Sequence, residues 1–164
     1  MAASLLARFL SLFPSMRGLD NPYYGISIPR SLRPLWWFLE FISVLPNWLF
    51  RFVLPSTYEL VIGERGLMDF LVWVCVTTDL SFLRSVWGRA TLALATRYCK
   101  NALVIANLPL LIKRRNGEPT ARTLPKQWVI YRVLARNLGV SIVDTSNESP
   151  ARSAARLIRA LQLG

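Results

Sequence analysis

The longest apolar block lies in the first half of the chain and is interrupted by polar residues. Residues 35–54 (LWWFLEFISVLPNWLFRFVL) have the length of a helix that crosses a bilayer core. Glu40, Arg51 and the pair Pro46-Asn47 are each unfavourable in lipid. Because proline disrupts a helix interior, we predict two shorter helices separated at Pro46, either embedded in a membrane or buried in a protein core.

A second apolar block, residues 67–76 (LMDFLVWVCV), carries one charge, at Asp69. The block is too short to cross a bilayer, so it predicts a buried or re-entrant helix. The preceding residues 57–62 (TYELVI) favour β structure and end in a turn, which predicts a short strand. Asp79 is a favoured N-cap residue, and we expect it to separate this helix from the next.

Residues 80–106 place apolar side chains at helical spacing, with Arg89, Arg97 and Lys100 on the opposite face. The pattern predicts a long basic amphipathic helix that ends near Pro109. Such a helix either lies flat on an anionic membrane or packs on a core with its cations in solvent.

The C-terminal third is more polar than the middle of the chain. Residues 110–124 read as a loop around a cation cluster that includes Arg114 and Arg115, which is either a solvated turn or a phosphate contact. Helical spacing over residues 126–138 ends at Gly139 and predicts a helix. Residues 140–143 predict a short strand or an extended segment.

A last helix is predicted over residues 150–161. Ser149 is a good N-cap, and Pro150 suits the first helical position. Arg152, Arg156 and Arg159 line one side of this helix, opposite its apolar side chains.

The N-terminal residues 1–18 contain arginines, serines and apolar residues at helical spacing, and no acid. This composition is typical of a mitochondrial targeting segment, and an ordinary first helix is the alternative. Residues 19–34 contain three prolines and predict an extended linker or an arm that lies along a surface.

These elements predict a mainly α fold of five to seven helices with no large sheet, one or two of the helices being membrane-embedded or deeply buried. The chain divides by composition into three regions. Residues 1–34 form the targeting-like segment and proline-rich arm, residues 35–109 the hydrophobic helical region, and residues 110–164 the basic helical region.

Composition strengthens the case for a membrane or a large protein interface. Of 164 residues, 53% are hydrophobic and 18% charged, which is more apolar and less charged than a typical soluble domain. The formal net charge is +11, mostly from arginine. Such an excess indicates a negative partner: nucleic acid, anionic lipid or an acidic protein. The apolar content favours lipid.

The sequence offers little catalytic chemistry. Histidine is absent and cysteine occurs only at Cys75 and Cys99, which excludes the usual zinc sites and histidine-dependent triads. No glycine-rich phosphate loop is present. We therefore expect no enzyme activity, catalytic residue, metal or cofactor. Glu40 and Asp69 are embedded in apolar sequence, where a structural role is favoured over ion handling.

The sequence favours a non-catalytic accessory subunit of a mitochondrial inner-membrane complex, either a respiratory complex or the ATP synthase. Its expected partners are other subunits and an anionic lipid such as cardiolipin. The alternative is a mitochondrial ribosomal protein that binds RNA through its arginines. The residues expected to contact lipid or phosphate are Arg89, Arg97, Lys100, Arg114, Arg115, Arg152, Arg156 and Arg159, and those expected at the membrane interface are Trp36, Trp37 and Trp73.

Overall fold

Helices dominate the structure, a computed structural model that describes residues 2–161. This part of the chain contains seven helices and one two-stranded sheet, which confirms the predicted mainly α fold without a large sheet. Contacts group the residues into two compact units, Met1–Ala95 and Thr96–Gly164. The three regions drawn from composition stay a prediction.

The first unit begins with helix α1 and ends within helix α4. Helix α2 continues beyond Trp48 through a π-helical turn at Leu49–Val53 and a last turn at Leu54–Ser56. Short 3-10 turns lie at Pro14–Met16, Arg30–Leu32 and Leu80–Arg84. The longer elements are α1 (Ala2–Ser11), β1 (Arg17–Asn21), α2 (Arg33–Trp48), α3 (Leu67–Thr77) and α4 (Val86–Tyr98).

Helix α3 is the centre of this unit. Leu71, Val72 and Thr77 are fully buried on different sides of it, so the helix is enclosed by protein. Phe82 is fully buried as well, and its ring lies 6.2 Å from that of Phe70. The second apolar block is therefore a buried core helix, one of the two forms that its length predicted.

Two predictions for residues 35–62 are wrong. Helix α2 runs through Pro46 instead of breaking there. Buried Phe41 and Trp48 lie on either side of the proline, so packing holds both parts in one helix despite the lost hydrogen bond. Residues 57–62 form turns and irregular backbone instead of a strand, because no neighbouring strand pairs with them.

The proline-rich residues 19–34 lie against the first unit, as the predicted arm would, and are not an extended linker. Their chain reverses at Gly25, whose φ of 61° lies in the left-handed region that glycine tolerates. Ile26 then pairs with Arg17 and Asn21 in isolated antiparallel bridges and is fully buried. Burial of Ile26 supplies the apolar contacts that fold this segment onto the unit.

The second unit contains a parallel pair of strands and three helices of its own. Strands β2 (Ala102–Ile105) and β3 (Ser141–Asp144) pair in parallel, with Ala102 opposite Ser141 and Ile105 opposite Asp144. Helices α5 (Leu108–Arg114) and α6 (Leu124–Asn137) connect them, with a 3-10 turn at Pro119–Thr123. Helix α7 (Pro150–Ala160) packs on both strands.

Two further predictions are corrected here. The helix expected over residues 80–106 is a 3-10 turn followed by α4, and its last residues form β2, because pairing with the distant β3 outweighs local helical spacing. The loop expected over residues 110–124 contains α5 and a 3-10 turn. Asn107 caps α5 by accepting a hydrogen bond from Leu110 N at 3.0 Å, so Pro109 begins a helix instead of ending one.

Three local predictions in this unit are confirmed. Helix α6 ends before Gly139, which has a left-handed φ of 64°. Strand β3 forms where residues 140–143 predicted extended structure. The side chain of Ser149 caps α7 by accepting from Arg152 N at 3.4 Å, with Pro150 as the first helical residue.

Candidate membrane and phosphate-contacting surfaces

One helical stretch in the described part of the chain, Arg30–Ser56, is long and apolar enough to cross a membrane. It has 27 residues, and 11% of its most apolar window is buried inside the protein. At 1.5 Å per residue the stretch measures about 40 Å, more than a bilayer core of about 30 Å. Its exposed large apolar side chains are Leu35, Ile42, Leu49, Phe50 and Leu54.

The start of this stretch is fixed by an ion pair. Arg33 Nη1 donates to Asp79 Oδ2, and Arg33 Nε donates to the carbonyl oxygen of Ile28 at 3.4 Å. Asp79 Oδ1 accepts from Ser81 N at 2.6 Å and from the Ser81 hydroxyl. The predicted capping role of Asp79 is therefore confirmed, and the same carboxylate also anchors α2.

These contacts set the protonation of Asp79. Burial alone would raise the pKa of this carboxyl. The hydrogen bonds from Ser81 and the positive charge of Arg33 outweigh burial and hold the pKa below its ordinary value. Asp79 is therefore a carboxylate near neutral pH, and it neutralises Arg33.

Among the ion pairs of residues 2–161, none joins Glu40 to Arg33 or to Arg51, the arginines on either side of it in the sequence. Arg33 pairs with Asp79 instead, and the Arg51 guanidinium lies 5.8 Å from the centre of the Phe52 ring. The sequence interpretation missed Asp79 as a partner because the two residues lie far apart in sequence. Glu40 is half-buried within the apolar stretch.

Asp69 has a structural role at the start of α3. Its carboxylate accepts a hydrogen bond from the backbone N–H of Gly66 at 3.0 Å, as in a capping box. Among residues 2–161, no group of three or more cysteine, histidine, aspartate or glutamate side chains could hold a metal ion.

The three tryptophans predicted at a membrane interface are packed against protein to different extents. Trp36 is 1% exposed and Trp37 is 9% exposed. Trp37 Nε1 donates to Thr78 Oγ1 at 3.0 Å. Trp73 is half-buried, and its ring lies 5.2 Å from that of Tyr23. Trp36 and Trp37 therefore contribute to the core of the first unit, and Trp73 is the most accessible of the three.

The predicted basic residues lie on the surface of their units. Two of them form ion pairs: Arg115 with Glu118 at 3.1 Å, and Arg156 with Glu148. Within the predicted set, the exposed cations that take part in none of the ion pairs of residues 2–161 are Arg89, Arg97, Lys100, Arg114, Arg152 and Arg159. These six are the members of the predicted set with a charge left for an anionic partner.

A polar cluster that the sequence interpretation missed joins the carboxyl ends of β2 and β3. Asp144 Oδ1 accepts from Ser146 N at 2.8 Å and from the Ser146 hydroxyl, and these bonds hold the pKa of Asp144 below its ordinary value. Asn107 N donates to Ser146 Oγ at 2.7 Å. These polar groups satisfy one another, so the cluster fastens the strand ends together.

The cluster around Asp79 and the cluster around Asp144 share one sequence signal. In both, an aspartate accepts hydrogen bonds from a serine two residues later, as Asp79 does from Ser81 and Asp144 from Ser146. The spacing Asp-x-Ser is typical of a turn fixed by an aspartate side chain. This spacing could have located both turns from the sequence, but it could not have predicted the ion pair between Asp79 and Arg33.

Comparison with known proteins gives no relative. No family model, curated protein or solved structure matches this chain.

Proposed function

We propose that this chain is a non-catalytic accessory subunit of a mitochondrial inner-membrane complex, either a respiratory complex or the ATP synthase, where it bridges subunits and contacts lipid. The main support is the apolar stretch Arg30–Ser56, of which the protein itself covers little. A monomer in water rarely leaves a contiguous apolar surface of this kind uncovered.

The polar residues of the same stretch favour an assembly over a solitary membrane helix. An arginine or aspartate at the centre of a lipid-exposed helix is unfavourable by about 2.5–3.5 kcal/mol, whereas each leucine or phenylalanine contributes only about 0.3–0.6 kcal/mol. Arg51 is exposed and Glu40 is half-buried. Neighbouring subunits that pair with these two side chains would remove the penalty.

Other apolar side chains of the first unit add to the surface that needs covering. Leu5, Phe9 and Leu12 on and after α1 are 68%, 55% and 73% exposed. Helix α1 packs on α2, so this surface belongs to the same unit as the long stretch. Lipid or other subunits would cover both.

The net positive charge of the chain supports contact with an anionic membrane. The net charge of +11 is carried mostly by arginine, which pairs with phosphate through two hydrogen bonds. The inner-membrane location rests on the basic, acid-free residues 1–18. Cardiolipin, with its phosphate pair, suits the exposed cations.

Alkaline carbonate extraction of mitochondria from cells that make the tagged chain tests membrane embedding. We expect the wild-type chain in the membrane pellet. Phe50→Glu places a charge on the exposed face of the apolar stretch, where the side chain is 66% exposed, and should move the chain to the supernatant. Tyr58→Glu, at a side chain 90% exposed beyond the stretch, is the matched control and should stay in the pellet.

Native purification of the same tagged chain, followed by mass spectrometry, tests its partners. Co-purification of inner-membrane complex subunits is expected. A wild-type chain that stays folded, monomeric and soluble without detergent would refute the proposal. Release from its partners by ribonuclease or high salt would favour the ribosomal alternative.

A further inference from the structure

A pocket of about 440 Å³ opens beside the start of α2. Its size falls within the range of small-molecule sites in proteins, about 300–1,000 Å³. It combines two guanidinium groups, one carboxylate, one hydroxyl and an aromatic wall. The lining residues are Arg30, Arg33, Pro34, Trp37, Asp79 and Ser81.

The charges of this pocket do not cancel. Asp79 accepts from Arg33 through one oxygen and from Ser81 through the other, so its acceptor oxygens are already engaged. Arg30 is exposed and takes part in none of the ion pairs within the described residues. The pocket therefore holds two positive charges against one negative charge.

The pocket is held in shape by the protein. Arg33 is fixed at both Nη1 and Nε by Asp79 and the Ile28 carbonyl. Trp37 is fixed by its hydrogen bond to Thr78 and by the Phe82 ring, 5.8 Å away. Because these groups are already ordered, a ligand would lose little free energy in ordering them.

The pocket also lies at the end of the apolar stretch. Arg30 is the first residue of Arg30–Ser56, and the apolar block begins at Leu35. If this block crosses the bilayer core, Arg30 and Arg33 lie at the depth of the lipid headgroups, where phosphates are abundant.

We propose that this pocket binds the phosphate of an anionic phospholipid headgroup, with Arg30 as the principal contact and Arg33 as a second donor. The proposal rests on the membrane location given under the proposed function. Arginine suits the role because its planar group donates two parallel hydrogen bonds to phosphate oxygens. The phosphate supplies the negative charge that the pocket lacks.

Lipid titration of the full chain in detergent, read by native mass spectrometry, tests the site. Arg30→Gln should weaken binding of cardiolipin about tenfold or more, since a hydrogen bond between charged groups contributes about that factor. Arg65→Gln removes an exposed arginine outside the pocket and should leave the affinity unchanged. Equal effects of the two variants would overturn the proposal.

Titrations with two further ligands identify the source of the phosphate. Phosphatidylcholine should bind more weakly than cardiolipin, because its choline group cancels the phosphate charge. Inorganic phosphate should compete poorly with cardiolipin, because it lacks the acyl chains that lie on the apolar stretch. Inorganic phosphate that binds as tightly as the lipid would overturn the assignment to a headgroup.

The test separates failure of this site from failure of the proposed function. Arg30→Gln should remain in the carbonate-resistant pellet, because the apolar stretch is unchanged. Loss of lipid binding together with retention in the pellet supports the site. A wild-type chain that is extracted by carbonate contradicts the membrane location, and the detergent titration still reports whether Arg30 binds phosphate.

Discussion

The ion pair between Arg33 and Asp79 connects the start of α2 to the segment after α3, and its strength can be worked out from the structure. The two side chains are 20% and 36% exposed. Unit charges about 4 Å apart attract by about 4 kcal/mol at an effective dielectric constant of about 20, and by about 1 kcal/mol in water. Desolvation and side-chain ordering offset most of this attraction. We expect a coupling free energy of about 1 kcal/mol, which is at the upper end of the range measured for solvent-accessible ion pairs.

A double-mutant cycle of Arg33→Gln and Asp79→Asn measures that coupling. Asparagine retains an oxygen that can accept from Ser81 N, so the turn is preserved while the charge is removed. The assay is chemical denaturation of the full chain in detergent, followed by tryptophan fluorescence. The matched control cycle pairs Arg30→Gln with Asp79→Asn, because Arg30 lines the same pocket without an ion pair.

The control cycle should give a coupling of about 0.3 kcal/mol or less, because Arg30 lines the same pocket but forms no ion pair with Asp79. A coupling this small for Arg33 and Asp79 would refute the anchoring role of the pair. An equally large coupling for Arg30 and Asp79 would show that general charge, and not the observed contact, is responsible.

Two further predictions concern stability. Because the pKa of Asp79 lies below its ordinary value when folded, its stabilising contribution is complete above about pH 4 and is lost as pH falls through the folded-state pKa. Thermal unfolding should show a steeper loss below pH 4 for the wild type than for Asp79→Asn, and parallel curves would contradict this. Gly88→Ala should lower the free energy of unfolding by about 1–3 kcal/mol, because a Cβ there would overlap the carbonyl oxygen of Phe82. An unchanged or raised denaturation midpoint would show that the backbone yields.

The sequence correctly predicted the helix ends that are determined by capping residues next to them in the chain. Ser149 and Pro150 begin α7, and Gly139 follows the end of α6, as local rules predict. The apolar blocks and the excess of arginine can also be read directly from the sequence. These features depend on contacts within a few residues, so the sequence alone contains them.

Tertiary structure decided the features that depend on distant partners. Residues of β2 have helical spacing in the sequence, yet they pair with β3, which no local rule can foresee. Trp36 and Trp37 look like interfacial anchors until the fold buries them. The pairing of Arg33 with Asp79, and with it the basic pocket, exists only because α2 and the turn after α3 meet in space. The secondary-structure preference of a segment depends on its own residues and can be read from the sequence. Contacts between distant residues depend on how the apolar surfaces pack together in the core, which only the tertiary structure shows.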